Sequence, residues 1–525
     1  MGVKIILSSL TTKNTGQLTP SWDVINNIYF KGFIFDNENN ILSKDDVCSM
    51  FSNIQNIAEF KKAIEKANGQ FSIIIKKENE IWLANDFVRS LPLFYTLYKN
   101  DWIISDLTFL ILQYTSLTPR IVNKPEFITL GYVTGKNTLL ENVFQVQACE
   151  IIALSKNKAE SIIYSDFLFQ KTRIGSNDSF IKEFKNNINN LAQKLIKVLN
   201  GCTAFVPLSG GYDSRLIVYL LKKANYKNVI CYTYGTKNNY EVENARKTSE
   251  ILGYRWIFID YSELDLTTFL SDPEFLDYYK FLANHSSMFM MQEYFAVKYL
   301  KQSNIVETNS VFIPGHSGDM LGGSHFMSSL QKIDKSGLVN EILDKYYILV
   351  ELSHKERLEI KHQLLEQIPN GFLPHSIFEN ILIKERQAKF INNSARVYNF
   401  FGHKYYMPFW DRDLVNYFVD LPFELRLYKN FYIKTLQQLF EEYGLNFKNE
   451  LQPTARQYKE QSVKKKLVKI FPLLKNLKKM PENDIFRSGD ITRLMIDDMK
   501  LRSVYIKQPK QFNSIYTQWY LSKLS

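Results

Sequence analysis

Two serines, two glycines and a carboxylate crowd into Leu208-Ser209-Gly210-Gly211-Tyr212-Asp213-Ser214-Arg215. The apolar run Cys202-Thr203-Ala204-Phe205-Val206-Pro207 precedes them and reads as a buried strand, and residues 216–223 read as an amphipathic helix. Glycines at a strand-to-helix turn let backbone N–H groups approach an anion where a Cβ would clash. The hydroxyls of Ser209 and Ser214 can donate to that anion, and the Asp213 carboxylate can hold a divalent cation on it. The string therefore predicts a phosphate cradle at the C-terminal end of a strand. A serine-capped glycine turn would explain a bare Ser-Gly-Gly but not the whole string. No Gly-x-x-x-x-Gly-Lys-Ser/Thr run occurs, so the usual nucleotide P-loop is excluded.

A cradle needs elements to hold it. Residues 229–234 read as a strand, 241–252 as a helix closed by Gly253, and 256–261 as a further strand. This alternation predicts an α/β parallel sheet with helices on both faces, and the chain beyond it reads as largely helical. Up to about residue 170 the signals are those of strands, at 28–35, 70–75, 81–84 and 102–105, with one helical piece at 60–67. That is an α+β pattern. The polar stretch 171–178 reads as a linker, with a helix from about 180 to 199 after it. Two domains are expected, 1–170 and 178–525, and 525 residues suffice for two cores.

Apolar residues make up 45% and charged residues 23%, the balance of a globular protein, and no apolar run is long enough to span a bilayer. The first residues lack a signal-peptide pattern, so a cytoplasmic location is expected. Cys48, Cys149, Cys202 and Cys231 show no C-x-x-C spacing and suit reduced thiols. Much of the net charge of +11 comes from a late run including Lys459, Lys464, Lys465 and Lys466. A solvated helical face is one reading of it and an anionic partner the other, and no motif points to nucleic acid.

Ser-Gly-Gly-x-Asp-Ser after a strand resembles the pyrophosphate loop of the ATP pyrophosphatase superfamily. A second segment, Phe312-Ile313-Pro314-Gly315-His316-Ser317-Gly318-Asp319-Met320-Leu321-Gly322-Gly323, narrows the resemblance to asparagine synthetases and β-lactam synthetases. It lacks one residue of their pattern between Asp319 and the paired glycines. The resemblance implies ATP held by Leu208, Ser209, Gly210, Gly211, Asp213, Ser214 and Gly315, and Mg²⁺ held by Asp213 and Asp319. The other reading of Asp319 is an Asx-turn. His316 stands where the family carries a glutamate or tyrosine; it can act as base for an amine, or hydrogen-bond backbone and take no part. Arg456-Gln457-Tyr458-Lys459-Glu460-Gln461 resembles a run whose lysine stabilises charge on the adenylate, which makes Lys459 the candidate and Lys429 the next. Glu241 and Glu243 keep the spacing of a family segment, but acidic residues also suit a first helical turn, so neither is assigned a catalytic role. Met407-Pro408-Phe409-Trp410-Asp411 matches a further family segment; Lys404 and Tyr406 replace its usual Glu and Arg.

The N-terminal half resembles the glutamine-amidotransferase domain of asparagine synthetases, an Ntn-hydrolase-like sandwich. The resemblance rests on Gly69-Gln70-Phe71-Ser72, Trp82-Leu83-Ala84-Asn85-Asp86, Leu91-Pro92-Leu93-Phe94-Tyr95 and Gly131-Tyr132-Val133-Thr134-Gly135. The family's nucleophile is a cysteine directly after the initiator methionine. Gly2 stands there in this chain, so the half is expected not to hydrolyse glutamine.

Together these features lead us to expect an AMP-forming, ATP-dependent amide ligase. It would activate a carboxylate on a peptide, small metabolite or glycan and pass it to an amine or ammonia. Ammonia-dependent asparagine synthesis, an enzyme acting on tRNA and an inactive scaffold are the rival readings. Self-association is left open.

Overall fold

In the computed structural model, residues 2–8, 21–116, 118–237, 239–307, 309–447 and 484–524 are described. The first ten strands are β1 (Gly2–Ile5), β2 (Asp23–Ile25), β3 (Ile28–Phe35), β4 (Asn68–Lys76), β5 (Ile81–Asn85), β6 (Phe94–Tyr98), β7 (Asp101–Ser105), β8 (Phe144–Gln145), β9 (Glu150–Ser155) and β10 (Lys158–Ile163). They form two sheets. One has the order β10-β9-β5-β4-β3-β2 and is antiparallel throughout; the other has the order β1-β7-β6-β8 and is parallel only between β1 and β7.

The strands at the centre of the larger sheet are apolar on both faces because both faces are covered. On one side Ile74, Leu83 and Ile152 meet Tyr95, Trp102 and Ile104 of the smaller sheet. On the other, Phe71, Ile73 and Trp82 join the main core with the helices Lys44–Ser52 and Ile57–Lys66. Phe60 stacks on Trp82 at 5.5 Å and packs edge-on to Phe51 at 6.0 Å. Each such side chain contributes roughly 1.5–3 kcal/mol by leaving water.

The stretch expected to be a linker is fixed to the body. The Arg173 guanidinium lies over the Phe180 and Tyr417 rings at 5.1 and 5.3 Å and bonds Glu183. The helix after it starts at Asn177, earlier than expected, because the Ser176 hydroxyl caps it. It runs to Leu199 and feeds the second sheet.

That sheet holds β11 (Ala204–Pro207), β12 (Val229–Gly235), β13 (Arg255–Asp260), β14 (Val311–Phe312) and β15 (Lys404–Tyr405) in the order β13-β12-β11-β14-β15, all parallel. Helices Tyr212–Lys223 and Tyr240–Leu252 make the first two crossovers, and Gly253 closes the second at φ 71°. The expected α/β pattern is present from residue 204, and helices dominate the remainder. One apolar core runs from Ile28 to Tyr520 across both halves. The helix Phe512–Leu524 returns to the N-terminal half, where Tyr520 packs on Phe127 at 5.8 Å. Among the described residues no helix is long and apolar enough to cross a membrane.

Candidate active site

β11 ends at Pro207, and the chain turns through the Ser209–Ser214 loop into helix Tyr212–Lys223. Hydroxyls shape this turn. Ser214 Oγ accepts the Ser209 N–H at 3.1 Å, the two hydroxyls lie 3.1 Å apart, and Gly211 N–H donates to Ser209 Oγ at 3.2 Å. Beneath it the buried Arg215 guanidinium donates to the Gly210 and Leu445 carbonyls at 2.8 and 2.9 Å, which ties the loop to a distant segment. Gly210 is required by proximity: a Cβ there would sit 2.7 Å from Glu241 Cα, at the start of the next crossover helix.

The second loop leaves β14 and reaches the first. Asp319 N–H donates to Asp213 Oδ2 at 2.7 Å, and the Tyr432 hydroxyl donates to Asp213 Oδ1 at 2.9 Å. Two glycines permit the approach. A Cβ on Gly315 would lie 2.8 Å from Ser214 N, and one on Gly318 would lie 2.8 Å from Asp213 Cγ. The short helix Gly318–Leu321 that carries Asp319 is anchored by Arg426, which bonds the Leu321 carbonyl at 2.9 Å and pairs with the buried Glu379. Ser317 takes φ 76°, an uncommon value for a non-glycine residue, and its hydroxyl donates to Gln387 Oε1 at 2.9 Å.

The two loops form one wall of a cavity of about 440 Å³. Ser209, Gly210, Gly211, Asp213, Ser214, Gly315, His316 and Asp319 line it, all expected from the sequence. Leu208 does not: it is 1% exposed, its N–H bonds the Tyr232 carbonyl, and its carbonyl accepts the Thr233 hydroxyl at 2.6 Å. It supports the loop from below. Lys459 lies outside the described residues. Lys429, the next candidate, lines the cavity and makes no ion pair among the described residues. Tyr428 and Lys429 both take left-handed φ, 60° and 61°, and Lys429 caps the helix Asn430–Phe440 that carries Tyr432.

Glu241, left without a catalytic role on its sequence alone, also lines the cavity. Glu243 faces away and pairs with Arg246 and Lys247. Lys404 and Tyr406 do not reach the cavity: Lys404 is exposed, and the Tyr406 ring packs on Phe33 and Phe35 at 5.8 and 6.1 Å. Sequence reasoning missed Tyr432, Tyr234, Tyr240 and Glu293, which complete the walls. Gly2 sits at the exposed outer end of β1, opposite Asp101, away from this cavity.

The starts of the helices at Tyr212, Tyr240 and Asn430 all border the cavity, so partial positive charge is directed into it. Among the described residues, four carboxylates, Asp213, Asp319, Glu241 and Glu293, and one lysine, Lys429, share the lining. Burial and the adjacent Asp319 charge push the Asp213 carboxyl up to about 7. Burial raises Glu241 as well. It pushes His316 down to about 4, and the His316 Nδ1 is buried with no hydrogen-bond partner. No group of three or more His, Cys, Asp or Glu is placed to bind a metal among the described residues. Two carboxylates completed by phosphate oxygens are nonetheless a donor set that suits Mg²⁺. No described group donates to the Asp319 carboxylate, so its oxygens are available.

Residues 203–445 match the family model described as asparagine synthase. The cavity lies within this matched segment, which covers less than half of the chain. No curated protein matches the chain. Among solved structures, the chain is similar to an NH3-dependent NAD synthetase from Campylobacter jejuni subsp. jejuni (17% identity, TM-score 0.21, covering 40% of this chain and 96% of that one). It is also similar to a glutamine phosphoribosylpyrophosphate amidotransferase from B. subtilis (11% identity, TM-score 0.21, covering 46% and 73%). At such values neither likeness establishes a fold or function for this chain.

Proposed function

We propose that the protein activates a substrate carboxylate with ATP, releases pyrophosphate, and transfers the acyl group from the resulting acyl-adenylate to an amine or ammonia. The contact that carries this reading is the 2.7 Å hydrogen bond from Asp319 N–H to Asp213, which brings two glycine-bearing loops to one point at the ends of parallel strands. The Ser209–Ser214 loop binds the β- and γ-phosphates through its backbone and hydroxyls, with the helix start at Tyr212 behind it. Asp213 and Asp319 would hold Mg²⁺, which when bound neutralises charge on the pyrophosphate leaving group. Tyr432 and the Asp319 amide orient the Asp213 carboxylate. Lys429 supplies positive charge to the negative charge that develops on the adenylate and on the oxyanion. Lys459 is proposed for the same task.

The N-terminal half is read as amidotransferase-like, supported by its paired sheets and by the order of its short motifs. We assign this half a substrate-binding or structural role. The acid is a peptide side chain, a small β-amino acid or a glycan uronate, and the proposed location is the cytoplasm.

Substrate-dependent ATP–pyrophosphate exchange over a panel of carboxylic acids tests this reading. At least one acid should support exchange, with AMP as the nucleotide product. Release of ADP and orthophosphate instead would overturn it.

A further inference from the structure

Glu293 is a carboxylate in the cavity wall with no cation beside it among the described residues. It precedes the helix Tyr294–Gln302 and is 8% exposed. Its Oε1 accepts the hydroxyls of Tyr232 and Tyr398, each at 2.6 Å, and no described group donates to Oε2. It makes no ion pair among the described residues. Among the described residues, the charged or titratable groups facing it are phenols: Tyr232, Tyr398, Tyr234, Tyr261 and Tyr278. Buried carboxylates are normally paired or neutralised by a proton. Burial does raise the affinity of Glu293 for a proton.

Rigid neighbours hold the group in place. Tyr232 lies on β12, paired directly with Pro207 of the cradle strand. Tyr398 stacks on Phe312 of β14 at 4.6 Å, and Tyr232 packs edge-on to the same ring at 6.0 Å. Two strands and a helix therefore fix Oε1, while Oε2 is left for something that enters the cavity. Asp213 and Asp319 face the phosphate loops, and Glu293 is a separate carboxylate with a different set of neighbours.

We infer that Glu293 seats the incoming amine as its ammonium ion and takes the first proton from it. This rests on the ligase reading above. The step balances as follows. The ammonium N–H bond breaks and its proton passes to Glu293. The freed nitrogen lone pair forms the C–N bond at the acyl carbon, and AMP leaves with the electrons of the C–O bond. The second nitrogen proton goes to the departing phosphate or to water.

Glu293→Gln tests the assignment, since its amide oxygen can still accept both phenols while the charge is lost. With an acid that supports exchange, two nucleophiles are compared: ammonium chloride, and hydroxylamine, which is uncharged at neutral pH. In the variant, pyrophosphate exchange and hydroxamate formation should stay close to wild type. KM for ammonium should rise by about tenfold to a hundredfold, the loss of one charge-assisted hydrogen bond. Glu293→Asp should restore part of the ammonium use. Unchanged ammonium kinetics in Glu293→Gln, or an equal fall with both nucleophiles, would overturn the inference. Absence of exchange in the wild-type protein would instead overturn the ligase reading. Should Glu293→Gln not fold, methylammonium is used on the wild-type protein: competitive suppression of hydroxamate formation supports the seat, and none refutes it.

Discussion

Asp213→Asn separates two effects of one carboxylate. Burial and the Asp319 charge raise its pKa from 3.8 to about 7. The folded protein therefore holds that proton more tightly than the unfolded chain does. The associated stability is fully present below the unfolded value and is lost as pH rises through the folded one. At about 1.4 kcal/mol per unit the loss reaches at most about 4 kcal/mol, with about 3 kcal/mol of it falling between about pH 5 and about pH 8. The carboxylate is partly exposed to the cavity, and solvent screening reduces both figures. Asparagine fits the site: its oxygen can take the Asp319 N–H, and its NH₂ can donate to the Tyr432 oxygen. Urea unfolding should then show the variant gaining on wild type by about 1–3 kcal/mol between about pH 5 and about pH 8 in the absence of nucleotide. Pyrophosphate exchange should vanish in the same variant, because the phosphates lose half of their proposed metal site. A variant less stable than wild type at the higher pH would refute the electrostatic reasoning. Undiminished exchange would refute the metal role.

Lys429→Met should leave the fold intact by circular dichroism and lower kcat/KM by about a hundredfold, since the cavity loses a positioned charge. Gly318→Ala drives a Cβ against Asp213 Cγ, where 2.8 Å is available; exchange should fall sharply and urea unfolding should show a loss of about 1–3 kcal/mol. Arg426→Met leaves Glu379 buried without its partner and frees the Leu321 carbonyl; a stability loss of about 3–5 kcal/mol is expected, with nucleotide affinity falling alongside. His316 is held near 4 against an ordinary 6.5, so its stabilising effect is present above the ordinary value and lost as pH falls toward the folded one. His316→Gln should remove that acid loss, up to about 3 kcal/mol, in urea midpoints compared from about pH 7 to about pH 4.

The loop from Ser209 to Ser214 was legible because its chemistry is local: glycines, hydroxyls and a carboxylate lie next to one another between a strand and a helix. Asp319 and Gly315 were legible for the same reason. The rest of the cavity was not. Tyr432 reaches Asp213 across 219 positions of chain, and Glu293 reaches Tyr398 across 105. Nothing in the helical periodicity around either residue distinguishes it from a core side chain, and 31 tyrosines are present. Leu208 shows the opposite error. It is adjacent to the cradle in sequence, yet as a buried strand end it faces the core.

The amino-acid order alone thus determined where strands and helices alternate and where an anion can approach the backbone. These follow from steric and hydrogen-bonding rules that act over a few residues. Tertiary structure alone decided which acids, phenols and lysine share the space with those loops, and that the apolar core continues through both halves. Long-range strand order and helix packing set those contacts, because the free energy of burying a side chain depends on what covers it and not on its neighbours along the chain.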